Sequence, residues 1–460
     1  MTTPKKSGAK KTAPKNRAGE VSAARKAAFQ ILLSVERGQS HSDDLLRGKA
    51  VNALSANDRN LTTALVLGVL RWQILLDQQI HALLARPNAK LDAEVMIALR
   101  LGAFQLLRMN RIPARAAIDE SVELAKQAGH RFASGMVNAV LRNLGKIPQA
   151  GDELEAHPAW MVERWTSFYG LEAARAICRH GQSQPVLTVR LAASEVADEL
   201  IAAGITIEPS ELLTAARTIV SGDGSATAAF REGRLRLQDE GSQLVAEILS
   251  HALNQQVKSI CDACAAPGGK TLILAERHRQ ARIVALESSA PRLEQLRERL
   301  APFGERIECR LADATALNEE SSYDLVLADV PCSGTGTLGR NPEIRHRLRP
   351  EELQRQAERQ RAILSAALRA LRPGGRAVYS TCSLEPEENE QVVAAVLAET
   401  PLARLLPMAE CIEELRRKNI LTENGTKCLQ ACLTPEGCLR LLPGIFHTDG
   451  FFIALIEKNA

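Results

Sequence analysis

The sequence predicts a multidomain chain with an all-helical part first, a small mixed α/β part next, and a larger α/β part with a mainly parallel sheet at the end. Apolar residues at helical spacing predict the first part over 21–147, and apolar runs alternating with amphipathic stretches predict the last over 236–460. The length of 460 residues suits this plan, because domains usually have about 100–200 residues. Hydrophobic residues make up 45% and charged residues 24%, which excludes a mostly disordered chain.

Positive charge is concentrated at the start of the chain. Residues 1–20 contain six Lys or Arg and one Glu, and we predict a disordered basic tail there. Since the whole chain carries +4 and this tail +5, the other 440 residues sum to −1. No apolar run approaches the ~18 residues of a membrane span, and no apolar segment follows the basic residues as in a secretory signal. The ten scattered cysteines favour reduced thiols, so we expect a cytoplasmic protein without membrane association.

A helical part and a mixed part are separated by a polar stretch. The clearest helical seam of apolar side chains is formed by Leu61, Leu65, Val69, Trp72, Leu76, Ile80 and Leu83. The Pro-bearing stretch 147–158 predicts a linker. Beyond it, a helical start near Trp160 and a short strand at 186–191 predict a small α/β domain, so that linker and middle domain occupy 148–235.

The last part repeats a strand followed by a helix. The predicted strands are 258–264, 282–287, 307–313, 323–330 and 375–382, and the clearest helices between them are 291–301 and 351–371. Repeated βα units of this length predict a parallel sheet with helices on both faces. In such sheets ligands bind beyond the carboxyl ends of the strands, which is where the motifs of this chain fall.

The loop DACAAPGGKT joins the first of these strands to its helix. Gly268 and Gly269 permit close approach of a ligand to the backbone, and the helix start offers N–H groups. A phosphate-binding P-loop would end in Gly269-Lys270-Thr271 but would need Gly at position 264, where this chain has Cys264. The dinucleotide fingerprint G-x-G-x-x-G is absent as well, so neither ATP nor NAD is the favoured ligand.

Acidic residues end the next two strands. Glu287 lies 18 residues after Gly269, where an acid can accept hydrogen bonds from a ribose diol. Asp313 ends the third strand, where an acid can accept from an adenine amine. A loop without phosphate-binding spacing, a diol acid and an adenine-side acid together favour S-adenosylmethionine as the bound cofactor.

Two cysteines follow neighbouring strands. Cys332 lies in ADVPCSGTG and Cys382 in STCSLEPEEN, so both should share one crevice with Asp329. This set suits methylation of carbon 5 of a pyrimidine, in which a thiolate adds at carbon 6 and an acid stabilises the ring nitrogen. The alternative is that both cysteines are small core residues, and the residues alone do not say which cysteine attacks.

These motifs resemble a known family. The segments DACAAPGGKT, ADVPCSGTG, STCSLEPEENE and DGFFIALIEK resemble the NOL/NOP/Sun family of RNA cytosine-5 methyltransferases. The segments ALRLGAFQLLRMNRIPARAAIDESVELAK and GMVNAVLRN resemble the helical RNA-binding domain of NusB. The resemblance implies a NusB-like domain and a Rossmann-like, S-adenosylmethionine-dependent methyltransferase domain. It further implies methyl transfer to carbon 5 of a specific cytosine in 16S rRNA through a covalent cysteine adduct at carbon 6.

The resemblance also implies roles for single residues. Cys382 matches the nucleophile, Cys332 the cysteine that assists product release, and Asp329 a contact to the cytosine ring. The positions that match cofactor-binding residues are Cys264, Ala265, Ala266, Pro267, Gly268, Gly269, Lys270, Glu287, Asp313 and Asp329. Glu287 stands where the family often has Asp, which lengthens the expected diol contact slightly. Residues 186–191 read VLTVRL where the family usually has an Asn-ended LRVN, so the RNA contacts of the family's middle domain are not carried over to this chain.

Two basic stretches are candidates for contacts to RNA phosphates. Residues 340–372 contain nine Arg against four Glu, and residues 100–145 contain seven Lys or Arg against three acids. For either stretch taken alone, a solvated helix face is the favoured interpretation. The expected partner is small-subunit ribosomal RNA, with no DNA, and the protein is expected to be a monomer.

Two alternative functions stay open at this stage, and a metal site is not expected. The substrate could be another RNA, either tRNA or 23S rRNA, because the catalytic domain is shared across the family. The protein could also be a non-catalytic RNA-binding assembly factor that keeps the cofactor fold. Cys428, Cys432 and Cys438 lack the paired spacing of structural zinc sites, so no metal is predicted.

Overall fold

The computed structural model describes residues 20–87, 90–144, 146, 151–444 and 446–459. Within it the chain divides into two compact units, one ending at Ala156 and one beginning at His157. The predicted basic tail lies outside the described residues except for Glu20, as do residues 147–150 of the predicted linker. Among the described helices, none is long and apolar enough to cross a membrane.

The regular structure described in the first unit is helical, as predicted. Its α-helices are α1 Ala23–Glu36, α2 Ser42–Leu46, α3 Lys49–Asn52, α4 Ala56–Ala82, α5 Ala93–Arg108, α6 Ala114–Gln127 and α7 Ser134–Leu144. Helix α5 packs against α1, α4, α6 and α7. Nearly all of its side chains are buried, including Ile97, Leu99 and Leu101, so α5 is the central helix of this core.

One arginine of the basic stretch 100–145 is buried and pairs with acids of two neighbouring helices. The buried guanidinium of Arg100 pairs with Asp77, at 2.7 Å and 2.8 Å, and with Glu36 at 2.9 Å. A buried arginine is retained only when its charge is paired, and here both carboxylates come from neighbouring helices. Arg100 therefore fastens helices together and is not a phosphate contact.

The second unit begins with a small α/β domain, which confirms the predicted middle domain. Its elements are α8 Ala159–Tyr169, α9 Leu171–Gln182, β1 Leu187–Leu191, α10 Glu195–Ala202, β2 Thr206–Pro209, β3 Ala216–Ser221, α11 Ala228–Arg231 and β4 Leu235–Leu237. The strands form an antiparallel sheet in the order β2-β3-β1-β4. Val189, Leu200, Ile219 and Leu235 form a separate small core on one face of this sheet.

The larger domain follows, with a mainly parallel sheet as predicted. Its elements are α12 Glu240–Ser250, β5 Ser259–Asp262, α13 Gly269–Arg277, β6 Arg282–Glu287, α14 Ala290–Leu300, β7 Ile307–Leu311, β8 Tyr323–Asp329, α15 Ile344–Arg347, α16 Pro350–Ala370, β9 Leu371–Thr381, α17 Glu390–Glu399, β10 Ala403–Leu406, α18 Met408–Arg417, α19 Glu423–Ala431, β11 Leu439–Leu441 and β12 Phe451–Lys458. Strands β5 to β9 run parallel to their neighbours among themselves. Strand β12 is antiparallel to β9, and β10 and β11 are antiparallel to β12.

The order of the strands places the functional loops. The sheet runs β10-β12-β9-β8-β5-β6-β7, so the chain leaves β5 toward β6 and β7 and then returns to the other side of β5 with β8. The carboxyl ends of β5 and β8 therefore form the topological switch point, where doubly wound sheets bind ligands. Leu325 and Leu327 of β8 enter one core, while Val326 and Ala328 enter the other, so both faces of the sheet are covered.

Candidate active site

The loop after β5 is held tightly against the first turn of α13. Gly268, the residue before the helix, has φ +98°, a left-handed conformation that favours glycine. A Cβ at this position would lie 2.8 Å from Cδ1 of Leu296, so a side chain there would push against α14. Asp262, at the end of β5, accepts a hydrogen bond from the Thr271 hydroxyl at 2.6 Å. These contacts set the path of the predicted cofactor loop.

A cavity of about 310 Å³ opens at this switch point. Its volume lies at the lower end of the range for small-molecule sites. The predicted site residues that line it are Cys264, Ala266, Glu287, Asp329, Cys332 and Cys382. The sheet topology thus brings residues from the ends of four strands to one cavity.

Asp329 and Lys270 form an ion pair beside the cavity. Lys270 Nζ lies 2.8 Å from Asp329 Oδ2, and the Ser380 hydroxyl donates to Asp329 Oδ1 at 2.7 Å. Burial works against the charged form of Lys270. The charge of Asp329, its hydrogen bond and the additional charges of Cys382 and Asp262 nevertheless raise the pKa of Lys270 above its usual value. The lysine is therefore a cation held by Asp329.

The two other predicted cofactor acids have different surroundings. Glu287 is buried at the end of β6, where its Oε1 accepts the Ser289 N–H at 2.8 Å. Its second oxygen lies 3.6 Å from Arg292 and belongs to the cavity wall. Asp313 is exposed, and its carboxylate accepts the N–H and the hydroxyl of Thr315 at 3.0 Å and 2.9 Å.

The carboxylate of Asp313, which was predicted to contact adenine, accepts hydrogen bonds within its own turn. The backbone hydrogen bond from Thr315 is the main reason that the pKa of Asp313 lies below its usual value. Ala312 and Ala314 line the cavity on either side of it in sequence. The carboxylate of Asp313 thus caps a turn at the cavity edge, and the flanking alanines form the wall.

The two cysteines meet because β8 and β9 are neighbours in register. Asp329 of β8 pairs with Ser380 of β9, and after each strand the backbone turns within three residues and reaches the cysteine. Cys332 Sγ lies 3.4 Å from Cys382 Sγ, within hydrogen-bond distance for sulfur. That hydrogen bond, burial and the nearby charges of Cys382 and Glu388 raise the pKa of the Cys332 thiol well above its ordinary value. The Cys332 thiol therefore keeps its proton at neutral pH.

Four polar residues behind the cysteines were missed in the sequence. Ser333, Ser383, Gln360 and Glu388 are linked by hydrogen bonds, and all four are buried. The available signal was the serine that directly follows each cysteine and the acidic run that follows the second one. That run looks like a solvated helix start, and only the fold turns Glu388 inward.

The basic stretch 340–372 is only partly available to RNA. Arg340 donates to Asp239 at 3.0 Å and to Asp449 at 2.7 Å, and Arg345 is buried against backbone carbonyl groups. Buried or paired guanidinium groups are structural, so counting charge along the sequence overestimates the positive surface.

Arg359 of α16 remains on the surface beside the cavity. It is exposed and lines the cavity, whereas Arg355, one turn away, is exposed but pairs with Glu352 at 3.4 Å. A guanidinium at this place can reach a phosphate of a polynucleotide whose base enters the cavity.

The fold and the site together define the class of protein, an S-adenosylmethionine-dependent methyltransferase with an added helical domain. Family models support this assignment piece by piece. Residues 249–457 match the family described as 16S rRNA methyltransferase RsmB/F, residues 22–146 match the NusB family, and residues 157–221 match the ferredoxin-like domain of RsmF/B-like methyltransferases. The chain belongs to the RsmB/F methyltransferase family, which confirms the resemblance seen in the sequence.

Full-length relatives and solved structures agree with this membership. The probable ribosomal RNA small subunit methyltransferase B of Bacillus subtilis is 33% identical, over 94% of this chain and 98% of its own. The ribosomal RNA small subunit methyltransferase B of Pseudomonas putida is 34% identical, over 95% and 98%. The crystal structure of PH0851 aligns with a TM-score of 0.77 and 25% identity, over 95% of this chain and 99% of its own. A methyltransferase homologue from Pyrococcus horikoshii aligns with a TM-score of 0.53 and 26% identity, over 67% and 98%.

Proposed function

We propose that this protein methylates carbon 5 of a cytosine in 16S rRNA through a covalent intermediate in which Cys382 is bonded to carbon 6. The observation that carries the proposal is the pair of sulfur atoms, 3.4 Å apart, on the wall of the switch-point cavity. Membership in a family described as 16S rRNA methyltransferases supports the choice of RNA. The NusB-like first unit supports it as well.

The cavity fits the methyl donor. When bound, S-adenosylmethionine supplies an electrophilic methyl group on a sulfonium. The second oxygen of Glu287, on the cavity wall near Arg292, would accept from the ribose hydroxyl groups, and the loop of Cys264 and Ala266 lies along the same wall. The other loop residues predicted to contact the methyl donor are Ala265, Pro267, Gly268 and Gly269, and they belong to the same tight loop.

In the proposed mechanism, Cys382 forms the covalent bond to the RNA. Carbon 5 of cytosine is a weak nucleophile, and addition of the Cys382 thiolate at carbon 6 moves the ring electrons toward carbon 5 and N3. N3 accepts the electron density, takes up the proton that Cys382 loses and returns it on release; the carboxylate of Asp329, which lies against Lys270, would share that proton by accepting a hydrogen bond from N3–H.

Methyl transfer and release follow from the same geometry. Carbon 5 attacks the methyl group, the methyl–sulfur bond breaks, and the donor leaves as a neutral thioether. Loss of the carbon 5 proton to a base restores the ring double bond and breaks the bond between carbon 6 and Cys382. The protonated Cys332 thiol can donate a hydrogen bond to the departing sulfur and so stabilise it as a thiolate.

Two cysteine variants test this mechanism. Cys382→Ala is expected to abolish methylation, a fall of at least about 10³-fold, because the ring is no longer activated. Cys332→Ala is expected to leave the first bond intact and to slow release, so a covalent protein–RNA adduct should accumulate on denaturing gels. Tritium transfer from labelled donor to a 16S rRNA transcript measures activity, and mapping of 5-methylcytosine identifies the modified carbon.

The controls separate chemistry from folding. Cys428→Ala removes a thiol outside the cavity, in α19, and should leave methylation and adduct formation unchanged. Retained activity in Cys382→Ala contradicts the nucleophile assignment. Methylation of the transcript at a base other than cytosine contradicts the proposed substrate.

A further inference from the structure

A buried polar cluster lies directly behind the two cysteines and has no part in the steps above. It consists of Ser333, Gln360, Ser383 and Glu388, and we call it the carboxylate cluster. The side chains of Gln360 and Glu388 are completely buried. Ser333 and Ser383 directly follow the two cysteines in sequence, so the cluster connects the two cysteine turns.

A single carboxylate makes these connections. Oε1 of Glu388 accepts the backbone N–H of Ser333 at 2.8 Å and the side-chain amide of Gln360 at 2.9 Å. Oε2 accepts the hydroxyl groups of Ser333 and Ser383, whose oxygens lie 3.0 Å apart. A buried carboxylate with four donors is fully satisfied, so it forms a rigid link between the two turns.

The Cys382 turn also has hydrogen bonds that do not involve Glu388. The N–H of Ser383 donates to Thr381 Oγ1 at 3.2 Å, and the Ser383 carbonyl accepts from the Asn389 amide at 3.0 Å. The Thr381 hydroxyl donates to Asn389 Oδ1 at 2.6 Å. These bonds should keep the turn of the nucleophile in place when Glu388 is changed.

The Cys332 turn depends on Glu388 more strongly. Both donors of Ser333, its N–H and its hydroxyl, are directed to the Glu388 carboxylate. Gln360, which is held by the same carboxylate, also donates to the Pro331 carbonyl at 2.9 Å. Loss of the carboxylate therefore loosens the residues on both sides of Cys332.

We propose that Glu388 is a positioning residue that holds the Cys332 thiol against Cys382 during product release. This role rests on the proposed function, in which Cys332 donates a hydrogen bond to the departing sulfur of Cys382. A displacement of about 1 Å is enough to change such a step strongly. Glu388 itself forms no bond to the RNA, and attachment of the RNA to Cys382 does not require it.

Glu388→Gln tests this role. An amide offers one acceptor oxygen where the carboxylate offers two, so its NH₂ group meets donors that it cannot satisfy. In a single-turnover reaction with a 16S rRNA transcript, the ratio of covalent adduct to released methylated RNA should rise about tenfold. Loss of part of the folded enzyme lowers both quantities together and leaves their ratio unchanged. Glu390→Gln, two residues on, where the carboxylate pairs with Arg440, is the matched control and should keep the ratio of the parent.

Two serine variants test whether the Cys332 turn depends on Glu388 more strongly than the Cys382 turn does. They also replace Glu388→Gln as the test if that variant does not fold. Ser333→Ala should raise the adduct ratio, and Ser383→Ala should raise it less, because the Cys382 turn keeps its other hydrogen bonds. Glu388→Asp retains the charge and should recover part of the release rate. An unchanged ratio in folded Glu388→Gln, or equal effects of the two serine variants, overturns the proposal.

Cys332→Ala is assayed in parallel to separate this proposal from the proposed function. Adduct in Cys332→Ala together with a parental ratio in Glu388→Gln overturns the role of Glu388 alone. Absence of adduct in Cys332→Ala overturns the release role of Cys332 and the role of Glu388 with it.

Discussion

Cys332 and Cys382 are the same side chain at equivalent ends of two adjacent strands, and their neighbours make them different. Burial, the hydrogen bond to Cys382 and the charge of Glu388 raise the pKa of the Cys332 thiol. A buried thiol beside an anion keeps its proton. These surroundings suit Cys332 to the hydrogen-bond donor role that the proposed mechanism gives it, with Cys382 as the proposed nucleophile.

Glu240 is a single residue whose surroundings should affect stability. It begins α12 with its side chain buried, and Oε1 accepts the N–H groups of Leu212 and Leu213 at 3.1 Å and 2.5 Å. Burial raises the pKa of Glu240 from 4.5 to about 7, although the two backbone hydrogen bonds oppose this rise. The folded state therefore binds a proton more tightly than the unfolded state, and this contribution to stability is lost as the pH rises from about 4.5 to about 7.

Glu240→Gln should remove this pH dependence. The variant keeps an acceptor oxygen and cannot ionise, so it should gain stability relative to the parent between pH 5 and pH 8. The gain should approach about 3 kcal/mol at most, which corresponds to the difference between the two pKa values. Thermal unfolding at several pH values measures it, with Glu298→Gln on the exposed face of α14 as control. A constant difference between variant and parent across this range would contradict the prediction.

At the scale of elements, the proposed donor site depends on the junction of β5 and α13. Its loop is short, and Gly268 turns it in a left-handed conformation close to Leu296 of α14. Asp262 and Thr271 fix the two ends of the loop to each other. The proposed donor site is therefore part of a strand–helix connection that is fixed at both ends.

Gly268→Ala should weaken donor binding. The added Cβ must displace α14 or the loop, in addition to the cost of about 1 kcal/mol for a left-handed alanine. We expect the Kd for S-adenosylmethionine, measured by calorimetry, to rise about tenfold. Gly374→Ala is the matched control, because Gly374 has φ +76° but has no heavy atom within 4 Å of an added Cβ. Equal donor affinity in the two variants would show that the contact with Leu296 is unimportant.

At the scale of the whole second unit, a buried ion cluster joins the middle domain to the larger domain. Arg190 of β1 lies 2.8 Å from Glu247 of α12 and 3.5 Å from Glu276 of α13. Arg277 also pairs with Glu247, at 2.8 Å. Since α13 starts from the donor loop, this cluster connects the middle domain to the element that carries the site.

Arg190→Met should destabilise this unit. It removes the charge that faces Glu247 from β1, while Arg277 still compensates part of the buried carboxylate. We therefore expect a loss of about 2 kcal/mol, less than for a fully unpaired buried charge. A lower thermal midpoint measures the loss. Arg234→Met is the control, because its pair with Glu199 is solvent-exposed and should contribute nothing measurable.

The sequence predicted the site to different extents for different residues. The strands that carry Glu287, Asp329 and the two cysteines were recognisable because each buried strand has an apolar run of its own. The exposure of the Asp313 carboxylate and the inward direction of Glu388 could not be recognised in the sequence, because hydrogen bonds within turns decide the partners of these side chains. The availability of an arginine for RNA depends likewise on acids that lie far away in sequence.

By itself the sequence determined the order of the elements, the class of fold and the motifs at the strand ends, since local periodicity records which face of each element is buried. Only the tertiary structure decided which groups meet: Lys270 with Asp329, Cys332 with Cys382, and Glu388 with both cysteine turns. Apart from the bond between Glu388 and Ser383, which is local, those contacts follow from strand order and register, which bring together residues 50 or more positions apart, as with Cys332 and Cys382. The physical reason is that the charge and hydrogen bonding of a buried group are set by its neighbours in space, and a linear pattern does not specify them.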